Sequence, residues 1–67
     1  PELDEYTFYR VAGGGCEAVV QARPLLTLVR RHPNAVVRFK SERPTWKDPV
    51  TFVDGGRAVG IIMPVKA

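Results

Sequence analysis

The chain has 67 residues and a formal net charge of +3, and its length fits one domain at most. At this size folding buries only about 60% of the surface that the unfolded chain exposes, so small domains usually need a disulfide, a metal or an oligomer for stability. The single cysteine excludes an internal disulfide, and one histidine with one cysteine is too few for a structural zinc site. We therefore expect association with a second copy or with a larger partner. No segment has the length of a transmembrane helix or the pattern of a secretion signal, which favours a cytoplasmic location.

The charge is distributed unevenly along the chain. Glu2, Asp4 and Glu5 lie within the first five positions, which we interpret as an acidic N-terminal tail, and residues 6–67 are interpreted as a single module. That module contains ten basic and four acidic side chains, which gives a net charge of +6. Seven of the ten are arginines, which suit phosphate, carboxylate or aromatic partners, although a solvated surface has a similar composition.

Two strands and a glycine turn open the module. Residues 6–11 are β-branched and aromatic and predict one strand, and residues 16–21 predict a second. The glycines at positions 13–15 predict the turn of a β-hairpin. They lack the Lys-Ser/Thr pair of a phosphate-binding loop and precede a strand instead of a helix, so we predict no nucleotide site there. Cys16 has no neighbouring base and is expected to be a small buried side chain.

The hydrophobic period then changes to that of an amphipathic helix. Pro24 suits the first turn of a helix, and Pro33 disfavours the helical conformation for the residue before it. One apolar stripe has the spacing i, i+3, i+4, i+7 and consists of Leu25, Leu28, Val29 and His32. The opposite side carries Arg23, Thr27, Arg30 and Arg31. His32 is expected to cap the C-terminal end of the helix, where positive charge is favourable.

Three further strands complete the predicted order β, β, α, β, β, β. Residues 35–41 alternate and predict a strand, and residues 50–53 predict the next after a loop bracketed by Pro44 and Pro49. Residues 54–56 (Asp-Gly-Gly) predict a hairpin turn. The last strand, residues 58–65, is apolar on both faces, so we expect it to be covered on both sides. This order predicts an α+β fold in which one amphipathic helix packs on a mostly antiparallel sheet.

These elements resemble the C-terminal end of the bacterial sliding clamp, the β subunit of DNA polymerase III. The resemblance rests on the Asp-Gly turn, on "IIMPVK" at residues 61–66 and on "ARPLLTLVRRHPNAVVRF" at residues 22–39. It extends without gaps from about residue 4 to residue 67 but covers only the final part of a clamp. Because clamp domains are built from βαβββ units, the resemblance implies a clamp-like half-domain. Pro24 departs from the aromatic residue that clamps often have there, and residues 65–67 depart from the usual Met-Arg-Leu ending.

The resemblance also implies two binding surfaces and no catalysis. In clamps the Met-Pro end forms one wall of a shallow apolar pocket for short linear peptides of polymerases and repair proteins. The peptide-binding residues implied here are Gln21, Pro24, Thr45, Lys47, Ile61, Ile62, Met63, Pro64, Val65 and Lys66. The surface implied for double-stranded DNA, bound without sequence preference, is Arg23, Thr27, Arg30 and Arg31. The resulting expectation is a non-enzymatic, self-associating module in DNA replication that needs neither a cofactor nor a metal.

Other interpretations stay open at this point. A small phage- or plasmid-type modulator with its own protein partner would carry the same patterns by chance. An N-terminal proline such as Pro1 serves as a nucleophile in small tautomerases, but an acidic segment follows it here and no long helix is predicted. Trp46, in the proline-bracketed loop, fits either an anchor for a partner or packing over a sheet edge.

Overall fold

A computed structural model describes residues 6–66. The elements are β1 (Phe8–Gly13), β2 (Cys16–Gln21), α1 (Ala22–Arg31), β3 (Val36–Arg38), β4 (Val50–Asp54) and β5 (Arg57–Ile62). The strands form two antiparallel sheets, with the orders β1-β2 and β3-β4-β5, and α1 packs against β2 and β5. The predicted α+β class, element order and helix-on-sheet packing are confirmed. The predicted acidic tail at residues 1–5 and the final Ala67 lie outside the described residues.

Both hairpins have two-residue glycine turns. Gly14 and Gly15 join β1 to β2 with φ angles of 59° and 84°, and Gly55 and Gly56 join β4 to β5 with 59° and 81°. Positive φ at both central positions matches the twist of the flanking strands and is accessible to glycine without steric cost. The turns predicted at residues 13–15 and 54–56 are therefore confirmed.

Helix α1 follows β2 directly and ends two residues before Pro33. The Ala22 N–H donates to the Thr7 carbonyl oxygen at 2.9 Å, so the pairing of β1 with β2 extends into the first turn of the helix. His32 is the C-cap residue, as predicted, and its backbone N–H donates to the Leu28 carbonyl oxygen at 2.9 Å. Pro33 then prevents a further helical turn.

The hydrophobic core lies between α1 and the two sheets. Its buried side chains are Val20, Leu25, Val50, Phe52 and Ile62. Among the described residues no polar or charged residue is buried, so the removal of apolar side chains from water is the main stabilising term. Helix α1 approaches β5 closely at Gly60, where a Cβ atom would overlap the Leu28 side chain.

The β1-β2 hairpin lies against both edges of the three-stranded sheet. On one side Gly13 approaches β3 so closely that a Cβ atom would lie 2.6 Å from the Val37 carbonyl oxygen. On the other side the chain beyond β5 runs beside β2, and the Val65 N–H donates to the Val19 carbonyl oxygen at 2.8 Å. This second contact fixes the segment after β5 against the hairpin.

The limits predicted for three strands are wrong by a few residues. The first strand begins at Phe8 instead of residue 6 and continues to Gly13. The third covers only Val36–Arg38, because its partner β4 begins at Val50, after a proline. The last covers Arg57–Ile62 instead of residues 58–65, because Pro64 has no N–H to continue a ladder of hydrogen bonds.

The expectation that the last strand is covered on both faces is wrong. Ile62 is only 7% exposed, but Ile61 is 64% exposed and Met63 is 55% exposed. Successive side chains of a strand point to opposite faces, and β5 is an edge strand with the core on one face only. An uninterrupted apolar run therefore leaves large side chains in contact with solvent.

The apolar face of α1 is narrower than predicted. Leu25 is 8% exposed, and Leu28 and His32 are half-buried, but Val29 is 39% exposed. Since β2 and β5 are the main packing partners of α1, the part of the apolar stripe beyond them is exposed to solvent.

Cys16 is half-buried instead of buried, and its Sγ lies 3.3 Å from the Glu42 carbonyl oxygen. Within residues 6–66 no helix is long and apolar enough to cross a membrane.

Candidate functional site

A cleft of about 340 Å³ opens beside Trp46, between the hairpin and the segment that follows β5. Its apolar lining comprises Ala18, Val19, Phe39, Pro44, Pro64 and Val65, together with the indole of Trp46. Its polar lining comprises Arg10, Glu17, Thr45 and Asp48. An apolar cavity with a few polar groups at its edge is the usual composition of a binding site.

The loop that carries Trp46 is held by its own hydrogen bonds. The Asp48 carboxylate accepts from the Thr45 N–H at 2.8 Å and from the Thr45 hydroxyl at 3.3 Å. The Asp48 N–H donates in return to the Thr45 carbonyl oxygen at 3.0 Å. Pro44 and Pro49, on either side, restrict the backbone further. Trp46 is therefore positioned at the mouth of the cleft, with 45% of its surface exposed.

Two ammonium groups flank the Trp46 ring. The Nζ atoms of Lys47 and Lys66 lie 5.6 Å and 5.3 Å from its centroid, within the range of a cation–π interaction. Arg10 pairs loosely with Glu17 at 3.9 Å across the hairpin, and both side chains are more than half exposed, so this pair contributes little to stability. The edge of the cleft thus combines a large aromatic surface with positive charge.

A second groove, of about 350 Å³, lies between α1 and β5. Pro24, Leu28 and Arg31 line it from the helix. His32, at the end of the helix, also lines it, and its Nδ1 lies 3.6 Å from the Asp54 carboxylate. This pair, about one third exposed on each side, connects the end of α1 to the β4-β5 hairpin.

The ten residues implied as a peptide pocket are divided between two surfaces. Around the Trp46 cleft lie Thr45, Lys47, Pro64, Val65 and Lys66. In the groove between α1 and β5 lie Pro24, Ile61 and Ile62. Gln21 and Met63 are exposed and line neither cavity. The run from Ile61 to Val65 is therefore divided along its length, with Ile61 and Ile62 at the groove and Pro64 and Val65 at the cleft, and its role in peptide binding stays a prediction.

The four residues implied as a DNA surface are all exposed on α1. They are Arg23, Thr27, Arg30 and Arg31. The Thr27 hydroxyl donates to the Arg23 carbonyl oxygen at 3.0 Å, and Thr27 and Arg31 also line the groove beside β5. The surface implied for DNA and the groove that holds part of the implied peptide pocket are therefore adjacent along α1. Contact with DNA stays a prediction.

The sequence did not indicate Val19, Phe39 or Arg10 as members of a site. The alternation in residues 35–41 places Phe39 on one face with Val37, but that signal does not distinguish a core position from a cleft wall. Val19 lines the cleft beside Val65, whose N–H donates to the Val19 carbonyl oxygen. For Trp46 the sequence left two interpretations open, an anchor for a partner or packing over a sheet edge. The structure has features of both, because the side chain lines the cleft and is also exposed.

Within residues 6–66 no group of three or more His, Cys, Asp and Glu side chains lies close enough together to hold a metal ion. Comparisons of the chain with protein-family models, with curated proteins and with solved structures give no significant match.

Proposed function

We propose that the protein is a non-enzymatic, clamp-like module of the cytoplasm whose Trp46 cleft binds short linear peptides of replication proteins. The observation that carries this proposal is the half-exposed indole of Trp46, held beside Pro64 and Val65 by a hydrogen-bonded loop. Exposed aromatic side chains at the edge of an apolar cavity are typical anchors of protein interfaces.

The chemistry of the cleft favours a particular kind of peptide. Aliphatic or aromatic side chains would replace water along Val19, Phe39 and Pro64. Carboxylates beside those anchors would meet the ammonium groups of Lys47 and Lys66. A peptide with a leading glutamine, trailing Leu and Phe anchors and acidic flanks has this composition, and the resemblance to sliding clamps implies the same class.

A labelled peptide of this class tests the cleft directly. In fluorescence anisotropy titrations we expect Trp46→Ala to weaken binding about 30-fold or more, as the loss of an aromatic anchor worth about 2 kcal/mol implies. Ile61→Ala is the matched control, because Ile61 is exposed and lines the groove on the other surface. It should leave the affinity unchanged. Since Trp46 is the single tryptophan of the chain, its intrinsic fluorescence gives a second readout with the unsubstituted protein.

The opposite pattern would contradict the cleft as the binding site. A large loss with Ile61→Ala and none with Trp46→Ala would place the peptide between α1 and β5. No binding of any clamp-type peptide to the unsubstituted protein would favour the alternative, an interaction modulator unrelated to clamps.

A second candidate function is DNA binding by α1. The helix carries Arg23, Arg30 and Arg31 at exposed positions and has no acidic residue in its sequence. Arginines on one helix attract phosphates without reading bases, which suits sequence-independent contact with double-stranded DNA.

Self-association belongs to the same proposal, because apolar side chains remain exposed on several elements. Val36 is 62% exposed, Ile61 64% and Met63 55%, and apolar surface of this kind is commonly covered between copies. We expect a homodimer or a larger oligomer. Light scattering that gives the mass of a folded monomer at high micromolar concentration would contradict it.

A further inference from the structure

The groove between α1 and β5 follows the edge of a strand. Val59, Gly60, Ile61 and Ile62 all line it, and the last three pair with β4 in continuous register. Because successive side chains of a strand point to opposite faces of the sheet, one face could present only every second residue. The groove therefore gives access to the edge of β5, along which alternate residues direct their backbone N–H and C=O groups.

No strand of the described chain pairs with this edge. In the order β3-β4-β5 the strand is the last one, and no described residue outside β4 forms a backbone hydrogen bond with residues 57–62. An exposed sheet edge is a template for pairing with a further strand. The groove therefore offers backbone donors and acceptors to a ligand in an extended conformation.

Helix α1 forms the opposite wall and runs antiparallel to β5. Leu28 lies so close to Gly60 that a Cβ atom there would overlap its side chain. One turn later, His32 lies 3.6 Å from the carboxylate of Asp54, and Asp54 pairs with Arg57 at the start of β5. Later turns of the helix thus lie beside earlier positions of the strand.

The lining of the groove favours an acidic ligand with aliphatic side chains. Pro24 and Leu28 provide apolar contacts, and Arg31 lies toward the end of the helix that faces the start of β5. None of the lining residues is acidic, and within residues 6–66 Arg31 forms no ion pair. A carboxylate of the ligand beside this guanidinium is therefore favourable.

A second copy of β5 suits this edge poorly. Residues 57–66 include Arg57 and Lys66 and no acidic residue. Pairing of two such edges would bring basic side chains together, and like charges on neighbouring strands are destabilising. Charge therefore favours a peptide from another protein over a second copy.

We infer that the edge of β5 binds an extended acidic peptide as a fourth strand of the β3-β4-β5 sheet. The peptide lies antiparallel to β5, so it runs in the direction of α1. Its aliphatic side chains contact Pro24 and Leu28, and a carboxylate that follows them meets Arg31. Backbone hydrogen bonds supply affinity, and the alternate side chains supply selectivity. This site is separate from the Trp46 cleft and does not depend on peptide binding there.

A synthetic hexapeptide tests the site in the full chain. The probe is acetyl-Thr-Val-Thr-Val-Thr-Glu-amide, whose valines and glutamate share one face of an extended strand. In NMR titrations we expect chemical-shift changes and slower amide exchange in β5, and no change at Val19 and Val65 in the Trp46 cleft. Changes confined to the cleft, or no binding at millimolar peptide, would overturn the inference. Protection of the β5 edge that rises with protein concentration in the absence of peptide would show that a second copy occupies it, contrary to the proposal.

Two N-methylated forms of the peptide test the backbone pairing. One carries methyl groups on the nitrogens of the valines and the glutamate, and the other carries them on the nitrogens of the threonines. Each form loses the donors of one edge of the peptide, and only one edge can face β5. We expect one form to lose about tenfold or more in affinity and the other to lose less than about threefold. Similar losses for both forms would contradict strand pairing.

Charge reversal tests the direction of the peptide. Arg31→Glu should weaken binding roughly fivefold, because an ion pair is replaced by like charges. A peptide that ends in lysine instead of glutamate should bind this variant better than it binds the unsubstituted protein. Arg43→Glu is the matched control, because it makes the same change of charge at an exposed position between β3 and β4. Equal effects of the two substitutions, or tighter binding of the reversed sequence acetyl-Glu-Thr-Val-Thr-Val-Thr-amide, would contradict the proposed contact with Arg31.

Discussion

Replacing Phe52 by alanine should leave a large fraction of the protein unfolded at 25 °C. Phe52 lies on β4, is only 2% exposed and belongs to the buried core. Truncation of a buried phenylalanine costs about 3–5 kcal/mol, because contacts are lost and a cavity remains. At about 0.05–0.15 kcal/mol per residue, the whole stability of a chain of this length is of order 3–10 kcal/mol. The substitution therefore removes a large part of the free energy of unfolding.

Urea unfolding followed by circular dichroism measures this effect. Val36→Ala is the matched control, since Val36 lies on the neighbouring strand β3 but is 62% exposed. Its change in stability should stay within about 0.5 kcal/mol. Equal shifts of the urea midpoint for the two variants would contradict the position of the core described here.

Reversing two charges on α1 should greatly weaken, without abolishing, binding to a short DNA duplex at low salt. Arg30 and Arg31 are adjacent, exposed residues in the last turn of the helix. If both contact phosphates, the double variant Arg30→Glu and Arg31→Glu loses two attractive contacts and gains two repulsive ones. The slope of log K against log salt concentration should fall in magnitude by roughly 1.8, since each phosphate contact contributes about 0.9.

A second double variant with the same change in net charge tests whether DNA contacts α1 itself or is attracted only by the total charge of the protein. Arg38→Glu with Arg43→Glu alters β3 and the following loop and leaves α1 intact. This variant should keep most of the affinity. Equal losses in the two double variants would mean that total charge, and not the face of α1, governs binding, and would count against the DNA function.

The local elements could be predicted because their causes are local. Glycine pairs fix the two hairpin turns, and Pro33 fixes the end of α1 through backbone geometry alone. The limits of β3 and β5 were wrong because each depends on a partner strand that the sequence pattern does not show. The exposure of Val29 has the same origin, since it depends on which elements cover α1.

The candidate sites were only partly predictable, because they depend on contacts between distant parts of the chain. The wall of the Trp46 cleft requires Val65 to pair with Val19, and no pattern within either segment indicates that hydrogen bond. Residues 61–65 form one continuous apolar run in the sequence but serve two surfaces in the fold. The division falls where β5 ends at Ile62, beyond which the chain leaves the sheet and Val65 pairs with Val19.

The hydrogen bond from Val65 to Val19 links the opening of the C-terminal segment to the affinity of the cleft. It holds one wall of the cavity against β2, and segments outside the regular strands open locally at a smaller free-energy cost than core elements. When the segment opens, Pro64 and Val65 leave the cleft and Trp46 loses its neighbours. A bound ligand that touches both walls favours the closed form by mass action. Ligand binding in the cleft therefore favours the closed form, and the closed form favours ligand binding. The hairpin, the tryptophan loop and the segment after β5 should open least often when the cleft holds a ligand.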